Sequence, residues 1–383
     1  MPRTPNLWAL CLALGLALAC SDPAERSAAG DVDADAAEAA DVPGESGADA
    51  APDVPLVDVA TDATPDVSSA DATPDVPPAD ATPDVPPEVA PDTVQPDCTG
   101  DAQCAPGVCD LGRCWPAPAA QVDVPAGTFW MGCDGVRDTG CEVNGLGGYF
   151  DQPYHAVDVP AFAIDVFETT VAEYAHCVAA AACTLPEQQP ECTWSAGEAS
   201  NLPLTCVSWE QAGAYCTWRG ARLCTESEWE KAARGGCDLL PADQRADCGA
   251  HQPLNPWGDA PATCDVAVMD PNDGSGAGCG AAWPLPVGSR PAGASPYGVH
   301  DTVGNVGEWV ADCFDASYDG APADGSARTQ CVWPQGDWLS GQYRAHRGAG
   351  WNQAVWFQRG AQRGADPPMG TFTNVGIRCC VTP

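Results

Sequence analysis

The chain has 383 residues, with 53 acidic against 16 basic side chains and a formal net charge of −37. That balance excludes nucleic acid and anionic lipid surfaces as direct partners, because both need clustered Lys and Arg. Twenty-two cysteines do not suit a reducing cytosol, and no apolar run reaches the roughly 20 residues of a membrane helix.

Residues 1–19 read as an export signal: Arg3 comes early, followed by the apolar run Leu7–Ala19. The run ends Leu16-Ala17-Leu18-Ala19-Cys20 and resembles the bacterial lipobox, Leu-x-Ala/Gly-Cys. That resemblance implies a lipoprotein with Cys20 as the lipidated first residue, anchored by two or three acyl chains. An ordinary signal cut near Ala19 would instead leave Cys20 free. The implied location is the bacterial cell envelope, on the outer membrane and either periplasmic or surface-exposed, with the lipid anchor as the only membrane contact.

Residues 20–97 form an acidic Pro/Ala/Asp linker. No Lys or Arg occurs between Arg26 and Arg113. Ala63-Thr64-Pro65-Asp66-Val67 recurs at 72–76 and 81–85. Nine residues are too few for a solenoid unit, and the prolines forbid helix and central strand. Low hydrophobicity with charge of one sign predicts disorder. Such a tether spans about 50 Å as a soft coil and up to about 230 Å as polyproline II.

Residues 98–116 carry Cys98, Cys104, Cys109 and Cys114 with too few apolar residues for a core. Two disulfides are expected, zinc being the alternative, and the sequence does not choose among the three pairings. The segment looks like short Cys-rich modules of secreted bacterial lipoproteins.

Residues 117–383 read as one globular domain. Three capping boxes announce helices: Thr170 with Glu173, Ser208 with Gln211, and Thr225 with Glu228. Gly220 closes the second helix, and Gly235 with Gly236 closes the third. Phe162–Phe167 alternates like a strand. After Gly236 the chain is rich in Gly, Pro and Trp with little periodicity, so ordered loop held by cross-links is expected.

An ordered series of motifs then carries a family resemblance. It runs through Pro125–Gly132, Ile164–Thr170, Val207–Glu210, Ala214–Trp218, Arg222–Glu230, Pro256–Gly258, Val303–Trp309, Arg347–Asn352 and Gly376–Cys379. The series resembles the formylglycine-generating enzyme (sulfatase-modifying factor) family and covers residues 121–383. The resemblance implies an α+β, C-type-lectin-like fold with little regular secondary structure.

In catalytic members the resemblance implies two cysteines shortly after an Arg-Gly-Gly-Ser-like segment, which bind copper(I) and oxidise a substrate cysteine. Copper(I) is soft and prefers thiolates. Here that segment is Arg347–Arg363, with Gly350 at the family serine, and no cysteine lies between Cys331 and Cys379. Copper is therefore not expected, and no catalytic residue is assigned. His155, His176, His251, His300 and His346 lack metal-ligand spacing. What is left is a groove of Trp351, Asn352, Gln353, Trp356, Arg359 and Arg363. Aromatics beside arginines suit a protein, peptide or glycan ligand. The bland alternative puts the tryptophans in the core and pairs the arginines with acids.

The resemblance also implies a structural calcium ion in Asp301–Glu308. Asp301 and Glu308 would give side chains, and Gly304 and Val306 carbonyls, which are the hard oxygens calcium takes. It further implies a Cys216–Cys379 bridge. Spacing suggests Cys133–Cys141, Cys177–Cys183, Cys192–Cys206, Cys237–Cys248, Cys264–Cys279 and Cys313–Cys331, which leaves Cys224 and Cys380 for each other. The resulting expectation is an envelope lipoprotein displaying a copper-less domain as a binding or scaffold module. An oxidoreductase using another site, and a purely structural surface protein without a cleft, are the rivals.

Overall fold

In the computed structural model the chain divides into residues 1–86 and 87–383, and the second unit holds everything described here. The described residues are 98–383, except 106–107, 111–112, 116, 118, 143–149, 197–199 and 332–341. The signal segment, Cys20 and the linker lie outside them.

All three capping boxes form. Helix α1 is Val171–Ala179, α2 is Trp209–Trp218 and α3 is Glu226–Arg234. In each, the cap hydroxyl accepts the third residue's N–H and that residue's side chain returns to the cap N–H, which satisfies two orphan donors at once. At the end of α3, Gly235 adopts φ +91°, a region costly for any residue with a Cβ, and its N–H bonds to Lys231 O at 2.8 Å. A four-residue α4, Cys248–His251, follows.

The strands are short. They are β1 Val108–Asp110, β2 Arg113–Trp115, β3 Gln121–Val124, β4 Gly127–Met131, β5 His155–Val159, β6 Phe162–Asp165 and β7 Arg222–Leu223. After α3 come β8 Gly307–Cys313, β9 Arg344–Arg347, β10 Arg363–Asp366, β11 Val375–Gly376 and β12 Cys379–Val381. Strands β1 and β2 form the hairpin of the cysteine module, and β4 and β5 form another. One four-stranded sheet runs β3-β6-β12-β7, all antiparallel. The other runs β10-β9-β8-β11, with β11 parallel to β8. Between α4 and β8 the described chain makes only short 3₁₀ turns and loops, as the missing periodicity predicts.

Every cysteine from Cys98 onward is in a disulfide. The module pairs Cys98–Cys109 and Cys104–Cys114. The six local bridges form at the spacings that suggested them. Cys216–Cys379 and Cys224–Cys380 close loops of 163 and 156 residues. Neighbouring side chains on a strand point to opposite faces. Cys379 accordingly enters the apolar cluster of Tyr174, Tyr215, Leu223 and Trp309, and Cys380 enters that of Phe129, Phe162, Ile164 and Trp229. One short strand thus ties both halves of the core.

Lys231 of α3 is wholly buried, and its ammonium donates to Pro125 O at 2.6 Å and Gly127 O at 3.0 Å. Burial lowers its pKa.

Candidate functional site

Helix α3 has nine residues, all buried, five of them charged. Burying those charges requires partners, since an unpaired ion in the interior costs several kcal/mol. Glu228 pairs with Arg222 of β7 and Arg234 with Glu230 inside the helix, and Glu226 and Glu230 are also reached from two distant strands. Arg347 of β9 reaches Glu226 at 3.1 Å and Glu230 at 2.5 Å, and donates to Tyr318 Oη at 2.8 Å. Arg363 of β10 bonds both oxygens of Glu226, at 2.5 and 2.9 Å. The register that sets Arg363 opposite Arg347 aims both guanidinium groups at one helix.

Just beyond β9, the turn carrying the family's active-site motif differs in a physical way. A Cβ on Gly350 would meet Asn374 Cβ at 2.5 Å, so the family serine has no room here. The chain then passes through a 3₁₀ turn at Val355–Phe357 into a cleft of about 370 Å³. Trp356 stands 41% exposed at its wall, and Gln358 and Arg359 are almost fully buried along it. The facing wall is the loop closed by Cys133–Cys141, which carries Arg137 and Asp138; Asn255 and Asp259 complete it.

The charges of the cleft are matched. Arg359 pairs with Asp138 at 3.1 Å and Asp151 at 2.9 Å. Arg137 pairs with Asp134 at 2.6 Å and lies 3.7 Å from Asp259. Burial raises the pKa of Asp151, against the opposing pull of Arg359. Gln358 Oε1 and Arg359 Nε have no hydrogen-bond partner, although both residues are more than nine-tenths buried.

The six residues expected to share one groove do not. Trp356 and Arg359 line the cleft. Arg363 is withdrawn into the pair with Glu226. Trp351 donates its indole N–H to Thr373 O at 3.0 Å and packs toward Trp283. Gln353 accepts the Gly350 N–H at 2.7 Å, and Asn352 is exposed. The physical reason is pairing: β10 must lie against β9, which pulls Arg363 away from the surface. Arg137, Asp138, Asn255 and Asp259 were not foreseen. The short Cys133–Cys141 loop was the signal available for the first two.

The Asp301–Glu308 loop is buried. Arg378 bonds both oxygens of Glu308, at 2.7 and 2.9 Å, and Trp229 Nε1 donates to the same carboxylate at 2.5 Å. Asp301 accepts the Gly288 N–H at 2.5 Å. Glu168 accepts from Asn305 Nδ2 at 2.9 Å and Val306 N at 3.1 Å. Burial pushes Glu168 well above the usual carboxylate range, helped by Asp301 and Glu308 nearby. The donor set fits calcium only in part: Asp301 and the backbone oxygens of Gly304 and Val306 are hard ligands, but Glu308 as folded is committed to Arg378.

Among the described residues, two groups of three or more His, Cys, Asp or Glu converge closely enough to share an ion. They are Cys98 with Cys104 and Cys109, and Cys133 with Asp138 and Cys141. Their cysteines are all in disulfides.

A mixed α+β domain with short strands, long ordered loops and this order of motifs defines a formylglycine-generating-enzyme-like, C-type-lectin-like fold. The family model described as "Sulfatase-modifying factor enzyme 1-like domain" matches residues 113–383, and the chain belongs to that family. Hercynine oxygenase of Mycolicibacterium smegmatis is 29% identical over 67% of this chain, a match that spans 59% of the relative. Formylglycine-generating enzyme of Bos taurus is 28% identical over 72% of this chain and 78% of its own length. A mouse protein named inactive C-alpha-formylglycine-generating enzyme 2 is 32% identical over 48% of this chain and 50% of its own length. Among solved structures, PvdO from Pseudomonas aeruginosa matches with a TM-score of 0.51 and 25% identity, over 69% of this chain and 94% of that one.

Proposed function

We propose that this protein is an envelope lipoprotein, anchored through Cys20, whose sulfatase-modifying-factor-like domain works as a binding or scaffold module rather than as a copper oxidase. One observation carries the reading. All cysteines of residues 98–383 are in disulfides, and the segment after Arg347 builds the wall of a cleft where catalytic relatives are expected to carry thiols. A reactive or copper-binding cysteine must be a thiolate, and a disulfide offers none. The relative named as inactive supports the same reading. Trp356, with Val136 93% exposed on the facing loop, supplies apolar contact for a protein, peptide or glycan ligand beside matched charges.

The test incubates the purified protein with copper(I), oxygen and a Cys-x-Pro-x-Arg peptide, and follows the peptide cysteine by mass spectrometry. No conversion to formylglycine is expected; conversion overturns the reading. A second reading, an oxidoreductase working through another site, draws on the likeness to hercynine oxygenase. Oxygen uptake with hercynine as substrate would favour it.

Calcium belongs to the proposal as a structural ion drawing on Asp301 and the Gly304 and Val306 carbonyls. A chelator should lower the melting temperature. An unchanged melting curve, with no calcium in elemental analysis, removes the ion from the reading.

A further inference from the structure

A second cavity, of about 470 Å³, opens away from the cleft, between the cysteine module, α1, α2 and the edge of β3. Its size suits a small molecule. Six side chains decide its chemistry: Gln121, Glu173, His176, Tyr215, Trp218 and Arg219.

Most of the charge around it is already matched. Arg219 donates to both oxygens of the fully buried Asp165, at 2.7 and 3.1 Å, and Gln121 donates to the same carboxylate at 3.0 Å. His176 Nε2 lies 2.7 Å from Asp110 Oδ2 on β1. Glu173 is the exception. Its capping bonds, at 2.8 and 2.9 Å, are neutral and both go to Oε2, so Oε1 takes no part in them. The carboxylate faces the cavity without a salt bridge: Arg219, the cation near enough to act on it, is spent on Asp165. Beside it stand two aromatic rings, Tyr215 and Trp218, with centroids 6.0 Å apart, and the Trp218 ring meets His176 edge-on at 5.1 Å. A carboxylate next to aromatic π-systems in a partly closed space is the chemistry that holds organic cations.

We propose that this cavity is a binding site for a small organic ammonium ion, held by the Glu173 carboxylate and the Trp218 ring. The site is independent of the cleft at Trp356. The charge of a bound cation would also oppose the rise that burial gives the Glu173 pKa.

Glu173 allows a clean test. Gln211 of α2 fills the same capping-box position with a neutral side chain. Glu173→Gln therefore removes the charge while keeping the cap. Calorimetric titration of the full mature chain with choline should give saturable binding. Glu173→Gln should weaken it by about tenfold or more at an unchanged melting temperature. Trp356→Ala, in the other cleft, should leave choline binding as it is. The uncharged isostere 3,3-dimethyl-1-butanol should not bind. Absence of choline binding at millimolar concentration overturns the proposal, as does equal binding by Glu173→Gln or by the isostere.

Discussion

Arg378 Nη2 lies 2.7 Å from Glu308 Oε1 and its Nε lies 2.9 Å from Oε2, so one guanidinium spans a carboxylate that the sequence motif offers as a metal ligand. Both residues are wholly buried. Removing one partner of such a pair leaves an uncompensated charge, at a cost of about 3–5 kcal/mol. Glu308→Gln should lower stability by that order in denaturant titration. Adding Arg378→Met should cost less than the two single changes summed, because both break one interaction.

The two long bridges together should matter more than a short one. In the chain-entropy account, the first of the two to form closes a loop of 163 or 156 residues and stabilises by about 5 kcal/mol; the second then closes only the short loop between the neighbouring ends, for about 2–3 kcal/mol, near the about 2 kcal/mol of the six-residue separation of Cys177–Cys183. Replacing Cys216, Cys224, Cys379 and Cys380 together by alanine should therefore lower the melting temperature well beyond the Cys177/Cys183 double change, whereas losing Cys216–Cys379 alone should cost far less, because Cys224–Cys380 still closes the long loop. Equal effects would count against the entropic account here.

Acidity should stabilise part of this fold. Burial, reinforced by the neighbouring Glu226 carboxylate, raises Asp312 from 3.8 to about 7. A raised carboxyl favours the folded state when protonated, so its contribution is complete below about pH 4 and is lost as the pH rises to about 7. Glu168 and Asp301 are raised in the same direction, while Glu226, held down by Arg363 and Arg347 against its burial, opposes them. The check is a difference: the pH dependence of melting temperature, wild type minus Asp312→Asn, should slope downward between about pH 4 and about pH 7.

The cap of α3 should be worth about 1 kcal/mol. Thr225 Oγ1 accepts the Glu228 N–H at 3.1 Å and donates to Gly325 O at 3.0 Å. Thr225→Ala loses both bonds, and Thr225→Ser keeps both groups. Chemical denaturation should rank the serine variant near wild type and the alanine variant below it.

Local chemistry was legible in the sequence, and long-range pairing was not. The capping boxes at Thr170, Ser208 and Thr225 announce their helices because cap and partner lie three residues apart. The local bridges announce themselves by spacing, and Cys216–Cys379 through family resemblance. The fate of the charged residues is different. Glu226 and Glu230 look like the polar side of a surface helix, because Arg347 and Arg363, which make their burial possible, lie more than a hundred residues away. The same blindness put Arg363 in a groove. It also hid the cavity over Glu173, whose walls come from segments as far apart as Val108 and Val381.

Lys231 is the only lysine in the chain, and its ammonium is enclosed by the carbonyls of Pro125 and Gly127. The folded domain thus offers no side-chain amine to solvent. Amine-directed dyes, cross-linkers and coupling resins should leave it untouched until α3 comes away from Pro125 and Gly127. The rate at which such a reagent marks Lys231 then becomes a built-in clock for the opening of the core.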